Sequence, residues 1–576
     1  AVITPLEGLS LSANIGLTDE NRRYNALYSR FGSSTTVDGL TNVYHDRYFA
    51  VNTQYLAEYK TSFGDTAHQL DFLAGYENYS LKRQWLEGQN DHLFDPNIGE
   101  LGNADGTSGK QTTSYTADYM TQGILARAQY SYGERYFLSA SFRRDESSRF
   151  APGHRWGNFG SLGAAWVISD EYFMSGVGWV DMLKLKVSYG VQGNDNLYPG
   201  SDYARQYYPY ADNYRHSFNE KTGEYSLELA YKGNRDLTWE SSHSFNVGTD
   251  FELWEGWLNG SLEYFSRKTT DLLYSRDVPL SSGNPTGFYP VNVGSILNNG
   301  FEMALDGSFF RSKDVQWSWN VNLSHYRNTI LALDETVPED GIKGGNYIYR
   351  VGGSLYQAYM RSYAGVDPNT GKGLYWKKVI GEDGKWTGES VTTDVFSDAD
   401  QYDLGSVLPT VYGGFGTSFK AYGFDMSMQF SFQFGGQYYD GTYQALMHTS
   451  AGAGTAWHKD VLNSWTEEKP YSYTPRLDGD TSVGQTAVDR FLISSDYLSI
   501  NNITLGYTLP EGLIERFGAR TLRVYFAADN LAVFSVRKGV DPRFSMGLGS
   551  YTSGSGLNSG SYSALRTLTG GLTLTF

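Results

Sequence analysis

The 576-residue chain contains no cysteine. That excludes disulfides, thiolate metal sites and lipid attachment through a cysteine. No apolar run approaches the ~18 residues of a membrane-spanning helix, and mean hydropathy is negative, at −0.44. Positive charge is in deficit: 46 Lys and Arg stand against 63 Asp and Glu, a formal net charge of −17. A nucleic-acid partner is therefore not expected. The nine His show no ligand spacing, and no G-x-S-x-G, H-E-x-x-H or Walker-type loop occurs. Gly413-Gly414-x-Gly416 sits in a strand pattern with no helix behind it, so it is no phosphate cradle. We therefore assign no catalytic, cofactor-binding or metal-binding residue, and expect no enzyme activity. No signal peptide opens the chain, and Ala1-Val2-Ile3 is no initiator sequence. This reads as a processed product or a piece of something longer.

What the chain has is aromatic and glycine content: 46 Tyr, 31 Phe, 13 Trp and 66 Gly. The organising stretch is 411–434. Phe424, Met426, Met428, Phe430, Phe432 and Phe434 occupy every second position, with Asp425, Ser427, Gln429, Ser431 and Gln433 between them. Successive strand side chains point to opposite faces, so one face is greasy and the other wet. A tilted strand of ~9–11 residues crosses a membrane core. Val411–Phe419 is a second such segment, joined to the first through 420–423. Roughly sixteen segments of this kind run along the chain. They predict an all-β fold, a transmembrane antiparallel β-barrel whose interfaces carry aromatic girdles. One strand breaks phase: Leu498 and Ile500 share one parity, and Ile503, Leu505 and Tyr507 the other. Asn501-Asn502 is accordingly expected to be a β-bulge.

Connections alternate in length. Short ones are expected near 61–66, 132–135, 169–181, 255–257, 311–315, 420–423 and 510–520. Long ones are expected near 18–43, 80–117, 145–155, 194–237, 275–290, 331–405, 438–494 and 536–560. Such barrels have short periplasmic turns and long extracellular loops. The long set should thus face outward, with Phe576 and residues 1–5 at the periplasmic end.

The stretch LPTVYGGFGTSFKAYGFDMSMQFSFQFGGQYYD (408–440) resembles the late-barrel hairpin of SusC-like (SusC/RagA-type) TonB-dependent outer-membrane transporters. Further blocks resemble that family in the expected order: LKLKVSYGVQGND (183–195), 245–274, VGGSLYQAYMRSYAGVDPNTGKGLYW (351–376), 465–477, 489–510, 523–535 and KGVDPRF (538–544). The resemblance implies a 22-stranded barrel around a plug, energised by a TonB complex and lidded by a SusD-like surface lipoprotein. It implies active import of an oligosaccharide or peptide across the cell outer membrane, and a terminal aromatic, Phe576, read during assembly. With about sixteen strands and no plug, residues 1–576 match the C-terminal barrel portion. The first barrel strands, the plug and the TonB-contacting segment are missing. The strands 9–15 and 566–576 should then each pair with a strand that this sequence does not contain. A passive sixteen-stranded porin is the alternative, and a barrel enzyme or adhesin a third.

Two local motifs remain. Asp367, Asn369 and Gly371 mimic half of a calcium loop, but no Glu follows at the required spacing, and Asp-Pro-Asn-Thr-Gly reads as a turn. In YARQYYPYADNYRH (203–216), Tyr203, Tyr207, Tyr208, Tyr210 and Tyr214 are interleaved with Arg205 and Asp212. Those seven residues suit stacking on sugar rings or gripping a partner. A loop packed on itself or on the barrel rim is the other reading.

Overall fold

The computed structural model describes the chain except residues 30–37, 65–66, 107–109, 198–206, 448–455, 478–487, 516–517, 538–540 and 544–563. It forms two compact units. One comprises residues 1–167, 186–245 and 267–295; the other comprises 168–185, 246–266 and 296–576. Sixteen strands among the described residues are nine residues or longer.

In the first unit β1 (Val2–Leu6), β2 (Leu9–Tyr28), β3 (Leu40–Phe63), β4 (His68–Asp91), β5 (Gln111–Tyr132), β6 (Tyr136–Ser147) and β7 (Trp156–Val167) form an antiparallel meander, each paired with the next. Direct cross-strand partners share a face. Leu11, Ala57, Ala74, Ala126 and Phe142 make one continuous row, and the next row, of opposite facing, is Asn14, Gln54, Glu77, Gly123 and Asp145. The first row belongs to the apolar face expected against lipid, the second to the polar inner face. Where the strands meet their short turns, Phe63, His68, Tyr132, Tyr136 and Trp166 line up with centroid spacings of 4.7, 4.6, 6.2 and 6.4 Å. This is an aromatic girdle at the turn end.

Strands β8 (Val180–Asn194), β11 (Glu240–Leu253) and β12 (Leu258–Thr270) contribute residues to both units. The first unit also holds two ribbons, β9 (Asn213–Asn219) with β10 (Glu224–Tyr231) and β13 (Leu273–Asp277) with β14 (Phe288–Asn292).

The second unit carries β15 (Ser295–Arg311) and β16 (Val315–Ala332), the latter paired with β24 (Val411–Ala421). Pairing continues through β25 (Phe424–Phe434), β28 (Tyr497–Thr508), β29 (Thr521–Ser535) and β30 (Thr567–Thr575). Between β16 and β24 lie β17 (Ile342–Gly344), β18 (Tyr347–Tyr349), β19 (Gln357–Arg361) and β23 (Gln401–Ser406) in one small sheet. A second small sheet contains β20 (Tyr363–Val366), β21 (Gly373–Ile380) and β22 (Trp386–Thr393). Beyond β25, β26 (Gln437–Tyr439) pairs with β27 (Leu492–Ser494). These short elements share a core containing Met360, Tyr363, Tyr375, Tyr439, Val461 and Phe491. The long connections 331–405 and 438–494 are therefore folded on one another rather than loose.

The turn at 420–423 tightens to two residues, Tyr422 and Gly423, with φ of 49° and 89°. Positive φ at both central positions is the type I′ geometry that matches strand twist. The bulge falls where the phase break put it: Gln429 faces Asn502 and Phe430 faces Ile500, leaving Asn501 extra.

Three expectations need correction. The connections near 18–43 and 80–117 are mostly strand, because β2 runs to Tyr28, β3 starts at Leu40, β4 runs to Asp91 and β5 starts at Gln111. A 24-residue strand at ~3.4 Å per residue is far longer than the ~9–11 residues needed for crossing. Outside the bilayer both faces are wet, so hydrophobic alternation fades while the ladder persists. Residues 9–13 also do not await a foreign strand: Leu9, Leu11 and Ser12 pair with the chain's own β1, and Ala1 exchanges backbone hydrogen bonds with Ala13. Along residues 14–28, β2 has β3 on one edge and no other strand of its unit among the described residues. Within its unit, β30 likewise has only β29, on one edge.

Candidate binding surfaces on the inner face

The long strands β2–β5 carry an aromatic ladder on the inner face. Tyr24, Tyr44, Trp85 and Tyr115 follow one another across four strands, at centroid spacings of 4.9, 4.6 and 6.3 Å and interplanar angles of 24°, 23° and 15°. Beside it the buried Arg83 guanidinium grips Asp46, Nε to Oδ1 at 2.9 Å and Nη2 to Oδ2 at 2.7 Å, and lies 4.5 Å from the Tyr48 ring. Ring faces in the ladder are taken by neighbouring rings, so a solute meets mostly edges and hydroxyls. Sequence reasoning missed this surface because its residues fall where loops were expected. The signal was present, as Tyr44-x-Asp46-x-Tyr48 and Arg83-x-Trp85 each alternate onto one face.

Next to the ladder, Asp195 gathers three donors. Tyr119 Oη donates to it at 2.8 Å, Ser147 Oγ at 2.6 Å and Arg149 Nη1 at 2.9 Å, and the Arg149 guanidinium lies 4.4 Å from the Tyr119 ring. This knot ties the segment after β8 to β5 and β6.

The tyrosine-rich segment 203–216 divides. Tyr203 and Arg205 lie outside the described residues. Tyr207 is buried, its ring 6.4 Å from that of Tyr119. The Tyr208 hydroxyl accepts the Asp118 N–H at 2.9 Å, and Tyr210 is half-buried. Asp212 holds Lys232 Nζ and the Gly233 N–H, both at 2.9 Å. Partial burial pushes its carboxyl up, but the Lys232 ammonium and the Gly233 N–H outweigh that and hold it below the usual range. Tyr214 points into solvent, 61% exposed. The seven residues therefore form no single platform: Tyr207 and Tyr208 anchor the segment, Asp212 pins the base of the β9–β10 ribbon, and Tyr214 projects from it.

In the second unit, the Asp367 carboxylate is used by its own turn. It accepts the Asn369 N–H at 2.9 Å and Thr370 Oγ1 at 2.7 Å, and these bonds hold it below the usual range. Lys378 Nζ stands 4.9 Å from the Tyr402 ring and 5.3 Å from that of Trp386, with burial lowering its pKa. Burial raises the Asp489 carboxyl although Ser362 Oγ donates to it at 2.6 Å and the Tyr363 N–H at 2.8 Å. At the bulge, Arg543 reaches Ser499 Oγ at 3.0 Å and Asn501 Oδ1 at 3.2 Å while pairing with Asp541 at 2.6 Å. No arrangement of nucleophile, base and oxyanion donors stands out among these polar groups. They position backbone and present hydrogen-bonding edges.

Comparison with known proteins places this architecture. Residues 5–437 match the family model described as TonB dependent receptor-like, beta-barrel. The chain is 25% identical over 592 residues to TonB-dependent receptor P3 of Formosa agariphila, covering 99% of this chain and 57% of that protein. It is 26% identical over 511 residues to TonB-dependent receptor SusC of Bacteroides thetaiotaomicron, covering 85% and 47%. A solved structure titled as that of the RagAB peptide transporter superposes with a TM-score of 0.82 at 25% identity, covering all of this chain and 61% of that one. The chain thus spans about half the length of the curated relatives it matches. These relatives are named as receptors or transporters rather than enzymes, and the family is one of outer-membrane proteins. With the family match extending over most of its length, the chain belongs to the TonB-dependent receptor-like β-barrel family and is SusC-like.

Proposed function

We propose that residues 1–576 are the C-terminal barrel portion of an outer-membrane importer. Its plug, first barrel strands and TonB-contacting segment belong to sequence outside this chain. Cargo is captured outside with the help of a SusD-like surface lipoprotein and passes through the lumen as a TonB complex moves the plug. The observation that carries this reading is the family match over 5–437 in a chain that spans only 47–57% of its curated relatives. The free edges of β2 beyond Ala13 and of β30 within their units support it, since unpaired strand edges are not tolerated in hydrocarbon. The cargo is an oligosaccharide or a peptide: SusC and the RagAB peptide transporter are the named relatives. Tyr203, Arg205, Tyr207, Tyr208, Tyr210, Asp212 and Tyr214 form the proposed contact segment at the outer rim. Tyr214 touches cargo or partner, and the buried members set its position.

The test is uptake of labelled oligosaccharides and peptides by cells carrying the full transporter, with and without a functional TonB complex. Import should vanish without TonB. Uptake that persists would mark the passive sixteen-stranded porin instead.

A further inference from the structure

A groove of about 520 Å³ opens on the apolar face of the first unit, independent of the import reading. Its floor is Ala128, Ala140 and Ala164, and its walls are Tyr130, Leu162 and Tyr189. Cross-strand pairing explains the hollow. Ala128 faces Ala140 and Ala140 faces Leu162 in one row, and Tyr130 faces Leu138 and Leu138 faces Ala164 in the next. Methyl side chains on adjacent strands leave space that the surrounding large side chains do not fill. The walls are fixed in place. Tyr130 Oη is hydrogen-bonded to His68 Nδ1 at 2.7 Å, and Tyr189 Oη to His243 Nδ1 at 2.9 Å. The groove is thus held open by two tyrosine–histidine pairs.

Its depth identifies the occupant. The row Tyr132, Tyr136 and Trp166 of the aromatic girdle lies two residues nearer the turns than the Tyr130–Leu138–Ala164 row. Two residues of strand are ~7 Å, so the groove begins just inside the hydrocarbon. It lies at the end that carries the short turns, which is the periplasmic side. No solvent and no polar ligand reaches that depth. A void against these residues would forfeit their dispersion contacts, and a flexible aliphatic chain is the group at hand that fills an open apolar channel. We propose that this groove is a lipid-binding site that seats one acyl chain of a glycerophospholipid from the periplasmic leaflet. The headgroup lies at the level of Tyr132, Tyr136 and Trp166.

The test uses the full transporter in vesicles containing phosphatidylethanolamine with a photoreactive diazirine in its acyl chain. Cross-links should concentrate in peptides holding Ala128, Ala140, Ala164 and Tyr189. An even spread over the apolar face would overturn the proposal. Ala140→Leu and Ala164→Leu fill the floor and should cut labelling there several-fold, while Ala126→Leu, outside the groove on the same face, should leave it unchanged. Barrel formation in each variant is read from heat-modifiable gel mobility. Undiminished labelling in a folded, floor-filled variant would overturn the site. Displacement of the label by added lipopolysaccharide, but not by unlabelled phosphatidylethanolamine, would overturn the assigned occupant.

Discussion

Phe430 and Gln429 are neighbours in β25 that meet different solvents. Phe430 stacks on Phe415 across the ladder at 4.6 Å, in the apolar row that runs on to Ile500. Gln429 shares its face with Gly416 and Asn502, and the next residue of that parity, Gln433, is buried and donates to Ser495 Oγ at 2.6 Å. Phe430→Arg should therefore cost about 2–4 kcal/mol if the residue lies at mid-membrane, whereas Gln429→Arg should be much milder. The folded fraction of each variant, read by heat-modifiable mobility, decides this; equal yields would reverse the facing. The Arg83–Asp46 pair makes a second residue-level prediction. Its side chains are 8% and 2% exposed, so Asp46→Ala leaves a buried charge unpaired, at roughly 3–5 kcal/mol. Replacing both partners, Asp46→Ala with Arg83→Met, should recover most of that loss in urea unfolding. An additive double variant would show the pair to be uncoupled.

At the scale of elements, the bulge in β28 is the clearest case of local sequence setting local structure. Deleting Asn501 restores a continuous alternation, which moves Ile503, Leu505 and Tyr507 to the wet face. The deletion should abolish barrel assembly, whereas Asn501→Ala keeps the phase and should lose only the Ser431 and Arg543 contacts. Assembly of the two variants in outer-membrane preparations compares them directly. The base of the β9–β10 ribbon makes a pH prediction. The Asp212 carboxyl sits below its ordinary value when folded, so its contribution is fully present above the unfolded value, ~3.9. That contribution is lost as pH falls through the lower folded value. Hydrogen exchange of the Gly233 amide, referred to a distant β-ladder amide, should show falling protection only below pH ~4. A loss of protection near neutrality would point to Lys232 or another group. The ribbons and small sheets themselves were hard to foresee. Their strands are three to eight residues long, too short for periodicity to outweigh turn-forming composition.

For the whole molecule the governing prediction is orientation. The absence of cysteine makes single introduced thiols unambiguous. Tyr471→Cys, in the 438–494 connection and 92% exposed, should react with a membrane-impermeant maleimide on intact cells. Tyr422→Cys, in the tight β24–β25 turn and 76% exposed, should react only after the outer membrane is opened. Labelling of Tyr422→Cys from outside would invert the topology.

The sequence by itself determined the strand alternation, the sorting of short turns from long connections and the position of the bulge. Each follows from neighbours two to four residues apart and from the contrast between lipid and water. It also carried the family resemblance in ordered blocks. Only the tertiary structure decided how far the strands run past the bilayer, since beyond the lipid no hydrophobic contrast marks a strand in the sequence. It alone brought Tyr24, Tyr44, Trp85 and Tyr115 into one ladder and Asp195 onto Arg149, residues separated by tens of positions whose meeting depends on register. And it showed that the 203–216 segment is mostly anchoring, because composition fixes which side chains are available whereas packing fixes which of them remain at the surface.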